Sequence, residues 1–177
     1  MLDAAGVAHR AVAPDCDEAA VKARHRGEAA SLALTLAETK ARSVPGDDWV
    51  IGADSVLEVD GVRYSKPVDR DQAAVHLRAF SGRVMTLSSA AALARGGTIE
   101  WAMVDTAQLS VRDLSDDFIA AYLDAEWPAV SYCVGVFRFE GIGVQLFDAV
   151  EGSQFTIFGL PLLPLLGALR VRGLMAA

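Results

Sequence analysis

The dipeptide Asp60-Gly61 constrains this chain more than any other two residues. Apolar, β-type runs lie on both sides of it: Trp49-Val50-Ile51 and Val56-Leu57-Glu58-Val59 before, Val62-Arg63-Tyr64 after. Two such runs separated by Asp-Gly form a hairpin, because a tight two-residue turn needs left-handed backbone at both central positions. The returning strand ends at Lys66, pinned by Pro67. Gly52-Ala53 reads as a small-residue corner that delivers Asp54 and Ser55 from the first strand. A carboxylate at one strand end and an ammonium at a nearby one can face a common cleft, which suits a metal-bound phosphate. The plain alternative is an ordinary strand-end Asp and a solvated Lys, since both residue types are mostly found at the surface.

The rest of the chain sets the context for that hairpin. Its 177 residues suffice for one sizeable core or for two small lobes sharing a sheet. With 53% hydrophobic and 22% charged residues it is a packed protein rather than a disordered one. A net charge of −7 argues against nonspecific binding to a nucleic-acid polymer and against an anionic membrane surface, but not against a small anionic ligand held by local positive charge or a metal. Cys16 and Cys133 have no CxxC or zinc spacing and read as small core residues in a reducing compartment. No stretch approaches a membrane span and the first residues lack a signal-peptide pattern.

Along the chain, Met1 to Gly6 reads as the end of a helix closed by Gly6. Val7 to Ala13 is a short strand candidate. Asp15, Asp17 and Glu18 crowd a helix start, either as caps and dipole partners or as metal ligands. Glu28 to Arg42 is a strong helix in which Ala29, Leu32, Leu36 and Lys40 share one face, leaving Lys40 at the end of an apolar stripe. Asp69 caps a helix with Gln72 as its partner, and Ala74, Val75, Leu77 and Phe80 form its buried face. Val84 to Ala94 and Thr98 to Val111, joined by Arg95-Gly96-Gly97, form a second hairpin. Ser115 caps a helix that Trp127-Pro128 ends. Strands are expected at Tyr132 to Phe139, Val144 to Phe147 and Phe155 to Phe158, before a closing apolar helix that runs to Arg170. Irregular alternation of helices and strands places the fold in the α/β class with a mixed sheet.

Several familiar sites are missing from the sequence: GxxxxGK[ST], GxGxxG and GxSxG do not occur. His9, His25 and His76 are scattered without metal-ligand spacing. What remains is acidic and basic: Asp17, Glu18, Asp54 and Glu140 against Lys40, Lys66, Arg83 and Arg138. Carboxylates and lysines without histidine suit a hard cation such as Mg²⁺ holding phosphates.

These residues stand in motifs that resemble one family. Ile51-Gly52-Ala53-Asp54-Ser55-Val56, Ser65-Lys66-Pro67 and Phe80-Ser81-Gly82-Arg83 look like the Maf family of nucleoside triphosphate pyrophosphatases. So do Leu114 to Tyr122, Glu140-Gly141-Ile142-Gly143, Val150-Glu151-Gly152 and Phe158-Gly159-Leu160-Pro161-Leu162. The resemblance spans nearly the whole chain in order.

The resemblance implies an elongated mixed β-sheet flanked by helices, with a cleft between two lobes, related to the inosine triphosphate pyrophosphatases. It implies hydrolysis between the α- and β-phosphates of a nucleoside triphosphate, a non-standard or pyrimidine one included, to a monophosphate and pyrophosphate. A divalent cation, Mg²⁺ or Mn²⁺, would be required, and a homodimer in the cytoplasm is expected. By the same resemblance Asp54 is the proton acceptor and, with Glu18, a metal ligand. Lys40, Lys66 and Arg83 bind phosphate, while Ser55 and Glu140 tune substrate choice. The family usually has Thr at the position of Ser55, Gly at that of Ser65 and Gln at that of Glu140. Glu140 can only accept hydrogen bonds when ionised, whereas Gln can also donate.

One departure from the resemblance concerns the beginning. The family opens with a buried strand and a Ser-rich, Arg-containing loop that grips phosphates, whereas this chain starts within the following helix, at Met1 to Gly6. The expectation is a single domain shortened at its N-terminus, with Met1 an internal methionine of a longer natural product. An in-frame stop immediately upstream in the DNA, with no codons for such a loop, contradicts it. The alternative function is a catalytically impaired nucleotide-binding module linked to cell-division control.

Overall fold

The computed structural model describes residues 1–176. In chain order the helices and strands are α1 (Glu18–Arg24), α2 (Ala29–Ser43), β1 (Trp49–Val59), β2 (Val62–Tyr64), α3 (Arg70–Phe80), β3 (Val84–Arg95), β4 (Thr98–Val111), α4 (Asp116–Glu126), β5 (Phe147–Glu151), α5 (Gln154–Ile157) and α6 (Leu162–Val171). The strands form one sheet in the order β2-β1-β3-β4-β5, antiparallel at both edges. Helices accompany the strands, so the α/β class holds.

The hairpin at Asp60-Gly61 forms as its sequence dictates. Val59 pairs with Val62, and the two turn residues have φ of 49° and 78°, the left-handed pair of a type I′ turn. Gly96 and Gly97 do the same between β3 and β4, with φ of 55° and 75°.

The chain divides into two compact units, residues 1–54, 89–105 and 159–177 in the first and 55–88 and 106–158 in the second. In the first unit the core is small and aliphatic. Ala29, Leu32, Ala33, Leu36, Ala37 and Ala41 are the buried face of α2, and Leu162, Leu165, Leu166 and Leu169 that of α6. Four hydroxyls of α2 bond back to preceding carbonyls (Ser31 to Glu28, Thr35 to Ser31, Thr39 to Thr35, Ser43 to Lys40), so its polar side chains are satisfied within the helix. In the second unit the core is larger and partly aromatic, with Leu57, Leu77, Phe80, Met85, Leu109, Tyr122, Leu123 and Phe137 among its members.

At the N-terminus, Val7 N–H donates to Leu2 O and Gly6 N–H to Asp3 O, with Gly6 at φ 71°. These are the two hydrogen bonds that close a chain at glycine, but residues 2–6 form turns and not the helix that the first six residues suggest. Four further expectations are corrected. Gly52-Ala53 is not a corner: β1 runs through it unbroken for 11 residues. Val7 to Ala13 carries no strand; it lies mostly exposed, and a β-type stretch without a ladder partner stays irregular. On α3 the buried residues are Ala73, Leu77 and Phe80, while Val75 points outward.

The last correction covers residues 129–158. The three strands expected there are replaced by a 3-10 turn at Ala129–Tyr132, tight turns to residue 141, a 3-10 turn at Ile142–Leu146 and the short helix α5. Only β5, starting at Phe147, is extended. Tertiary contacts override the β-type composition. Val136 adopts φ 56° with its carbonyl taken by the Tyr122 hydroxyl at 2.9 Å, and a side chain at Gly143 would stand 2.5 Å from Arg138 O. Chain that doubles back this closely cannot extend.

Candidate active site

In the first unit, two carboxylates converge on one ammonium. Lys40 Nζ lies 3.0 Å from Glu18 Oε1 and 3.1 Å from Asp54 Oδ2. The three residues come from separate elements: the first turn of α1, the last turn of α2 and the middle of β1. Asp17 caps α1 by accepting from Ala20 N at 2.9 Å, which leaves Glu18 to reach across. Gly52 brings α2 onto β1. A Cβ there would sit 2.2 Å from Ala37 O and 2.6 Å from Ala41 N, so only glycine permits the approach. The side chains of Lys40 and Asp54 keep 19% and 15% exposure, enough to leave the pair reachable from solvent.

The electrostatics follow from this geometry. Burial alone disfavours the Lys40 charge, but Asp54 and Glu18 outweigh it and raise the lysine above its ordinary pKa. Burial pushes the Glu18 carboxyl up, yet Lys40 and then Lys22, 3.6 Å away, bring it below its ordinary value. Cys16 lies in the field of the same group. Its thiol pKa is raised, first by burial and then by Glu18, so it is a poor nucleophile.

The donor set bears on a metal. Among the described residues no group of three or more His, Cys, Asp or Glu forms a complete cage. Two hard carboxylates drawn together by one lysine instead fit a cation that takes its other ligands from phosphate oxygens and water, which is how Mg²⁺ usually binds.

In the second unit, Lys66 and Glu140 are both exposed, and both act on the half-buried Cys133. That thiol pKa is raised, first by burial and then by Glu140, with Arg138 and Lys66 pulling it down. Lys66 follows β2, which ends two residues earlier at Tyr64. Glu140 sits in a turn beside Arg138, whose guanidinium grips the buried Glu126 with Nε–Oε2 of 2.8 Å and Nη2–Oε1 of 3.0 Å. Arg83 forms an ion pair with Asp60 of the hairpin turn, both half exposed. Ser55 follows Asp54 directly in β1 and is partly buried.

Of the residues expected to form a site, Glu18, Lys40 and Asp54 are therefore in direct contact. Lys66 and Glu140 gather around Cys133, and Arg83 pairs elsewhere in the second unit. Glu126 escaped the sequence reading. Its signal is an acidic residue in the last position of a helix, where the dipole disfavours negative charge and where a buried cationic partner is the usual compensation.

A mixed α/β chain with an acidic–lysine cluster between a helix end and a strand is the class this architecture defines. Compared with known proteins, the sequence profile of the Maf-like proteins matches residues 1–172. The nucleoside triphosphate pyrophosphatase of Gluconobacter oxydans (strain 621H) is 43% identical over 184 residues, covering 100% of this chain and 91% of that protein. That of Sphingopyxis alaskensis is 44% identical, covering 98% and 91%. The 7-methyl-GTP pyrophosphatase of Rhizobium meliloti (strain 1021) is 42% identical, covering 100% and 92%. The chain belongs to the Maf-like protein family.

Proposed function

We propose that this chain is a nucleoside triphosphate pyrophosphatase, a hydrolase that cleaves the α–β phosphoanhydride to a nucleoside monophosphate and pyrophosphate. The relatives' names support the reaction class. The observation that carries it to residues is the Glu18–Lys40–Asp54 cluster.

Asp54 accepts the proton of the attacking water as the new P–O bond forms and the bond to the pyrophosphate leaving group breaks. Lys40, kept cationic by its two carboxylates, offsets phosphate charge as it shifts to the leaving group. Glu18 and Asp54 would hold a divalent cation, Mg²⁺ or Mn²⁺, which polarises phosphoryl oxygens and neutralises charge. Lys66 and Arg83 serve phosphate binding, and Ser55, next to Asp54, tunes substrate choice.

Glu140 favours a guanine-type nucleobase. An ionised carboxylate only accepts, and guanine offers adjacent ring N–H and exocyclic NH₂ donors. Uracil and thymine place one N–H between two carbonyls, which repel a carboxylate. The 7-methyl-GTP activity named for the Rhizobium relative agrees with a guanine-type base.

The test is pyrophosphate release over a nucleotide panel with Mg²⁺ or Mn²⁺, with and without chelator. Turnover is expected to fall by about 10²-fold or more in Asp54→Asn, with the fold retained but the melting temperature lowered, because Lys40 loses one of its two carboxylates. Full turnover in that variant removes Asp54 from the mechanism. Nucleotide binding without any pyrophosphate release by the unaltered chain supports the impaired-module alternative instead.

A further inference from the structure

Glu126 presents a physical puzzle that the proposed chemistry does not use. It is the last residue of α4 and only 6% exposed. A carboxylate there opposes the helix dipole and gives up most of its hydration. Its compensation is the fork of Arg138, two parallel N–H···O bonds of 2.8 and 3.0 Å. One helical turn earlier on the same face, the Tyr122 hydroxyl donates to Val136 O at 2.9 Å. Two side chains of α4 thus hold two alternate residues of one turn.

That turn carries Glu140. Gly141 N–H donates to Arg138 O at 3.1 Å, closing the chain around Glu140. A Cβ on Gly141 would lie 3.7 Å from Glu126 Oε1, and one on Gly143 would meet Arg138 N at 2.8 Å. The backbone on both sides of Glu140 is therefore packed against the Glu126–Arg138 pair. Glu140 itself is exposed. An exposed carboxylate selects a base only if its backbone is fixed, because a displacement of about 1 Å in such a group can cost on the order of 10²-fold.

We infer that Glu126 and Arg138 form a positioning pair, which fixes the Glu140 turn against α4 and so sets the discrimination between guanine-type and pyrimidine nucleotides. The inference rests on the reading of Glu140 as the base-selecting residue. The pair touches neither base nor phosphate; it acts through Glu140.

The experiment compares kcat/KM for GTP and UTP in the full chain and in Glu126→Gln, Arg138→Lys and the double variant Glu126→Gln/Arg138→Gln. Arg138→Lys keeps the charge but loses the fork, and serves if Glu126→Gln fails to fold by circular dichroism. The expected result is a fall of about 10-fold or more in the GTP/UTP ratio, carried by the KM for GTP. The double variant should fall no further than the worse single one, because the two act as a unit. Equal losses for both nucleotides, with the ratio unchanged, reduce the pair to a stabilising contact and overturn the inference. If the unaltered chain releases no pyrophosphate from any nucleotide, the underlying reading has failed and the selection role goes with it.

Discussion

Lys40 Nζ stands 3.1 Å from Asp54 Oδ2, and the closeness is made by Gly52, two residues before the aspartate. An added methyl at Gly52 would meet Ala37 O at 2.2 Å and Ala41 Cβ at 2.9 Å, both parts of a rigid helix. Gly52→Ala is expected to cost about 1–3 kcal/mol or more by overpacking and to lower turnover in the fraction that folds. Gly167→Ala is the control: it lies in α6 with nothing within 4 Å of the new Cβ, and should be neutral or stabilising by about 0.5–1 kcal/mol. Chemical denaturation with pyrophosphate release on both variants checks this. A Gly52→Ala protein as stable and active as the parent refutes the close-approach argument.

The acidic cluster makes stability depend on pH at both ends. Glu18 has its folded pKa below the ordinary 4.5, so the folded state holds fewer protons than the unfolded chain there. Its contribution is present above that pH and is lost on acidification through the folded value. Lys40 has its folded pKa above 10.5, so its contribution is complete below that pH and fades as pH rises through the folded value. Lys40→Met should lower the melting temperature most near neutrality, with the deficit shrinking in acid and in alkali. A deficit that stays constant from acid to well above 10.5 shows that the lysine is not coupled to these carboxylates.

Much of this arrangement is legible in the chain, for reasons that differ by element. Asp60-Gly61 and Gly96-Gly97 are local events, each decided by two residues with φ above zero, and both hairpins appear where the dipeptides put them. Caps are equally local: Asp69 accepts from Gln72 N at 2.7 Å and Ser115 from Phe118 N at 3.2 Å. The stripe ending at Lys40 is read from helical spacing alone, and the structure gives that lysine its carboxylates. Residues 129–158 mislead because Val134, Val136, Phe137 and Phe139 have strand-forming side chains, while α4 holds the stretch from outside it: Tyr122 takes the backbone carbonyl of Val136 and Glu126 takes the guanidinium of Arg138. Gly52 misleads in the opposite sense: glycine in a strand suggests a bend, and here it admits a neighbouring helix.

Arg83 offers a test of phosphate binding at low structural cost. Its guanidinium pairs with Asp60 at the hairpin turn, where the two side chains are 52% and 59% exposed. An exposed pair of this kind is worth about 0–1 kcal/mol, so the arginine can exchange its partner for phosphate cheaply. Arg83→Ala is expected to change stability by less than about 1 kcal/mol and to raise the KM for every nucleotide alike, with base preference retained. Steady-state kinetics on GTP and UTP measure both; an unchanged KM assigns Arg83 to the hairpin alone.

Glu140 carries the sharpest prediction about substrate. Replacing it with Gln restores a donor while keeping the length and shape of the side chain. Against guanine, one of the two accepted hydrogen bonds is lost and the amide NH₂ faces a donor. Against uracil, the amide can both donate to a carbonyl and accept from the ring N–H. A correctly paired base edge is worth about 1–3 kcal/mol of discrimination, so the GTP/UTP ratio of kcat/KM should fall by about 10- to 100-fold in Glu140→Gln. The change should come from a lower KM for UTP as well as a higher one for GTP, because the variant gains a pyrimidine contact rather than only losing a purine one. The stability cost should be negligible, since the side chain is exposed. A Glu140→Gln protein that loses activity on both nucleotides in parallel means that the carboxylate serves the phosphates or the fold, and the guanine preference must then be sought in other residues.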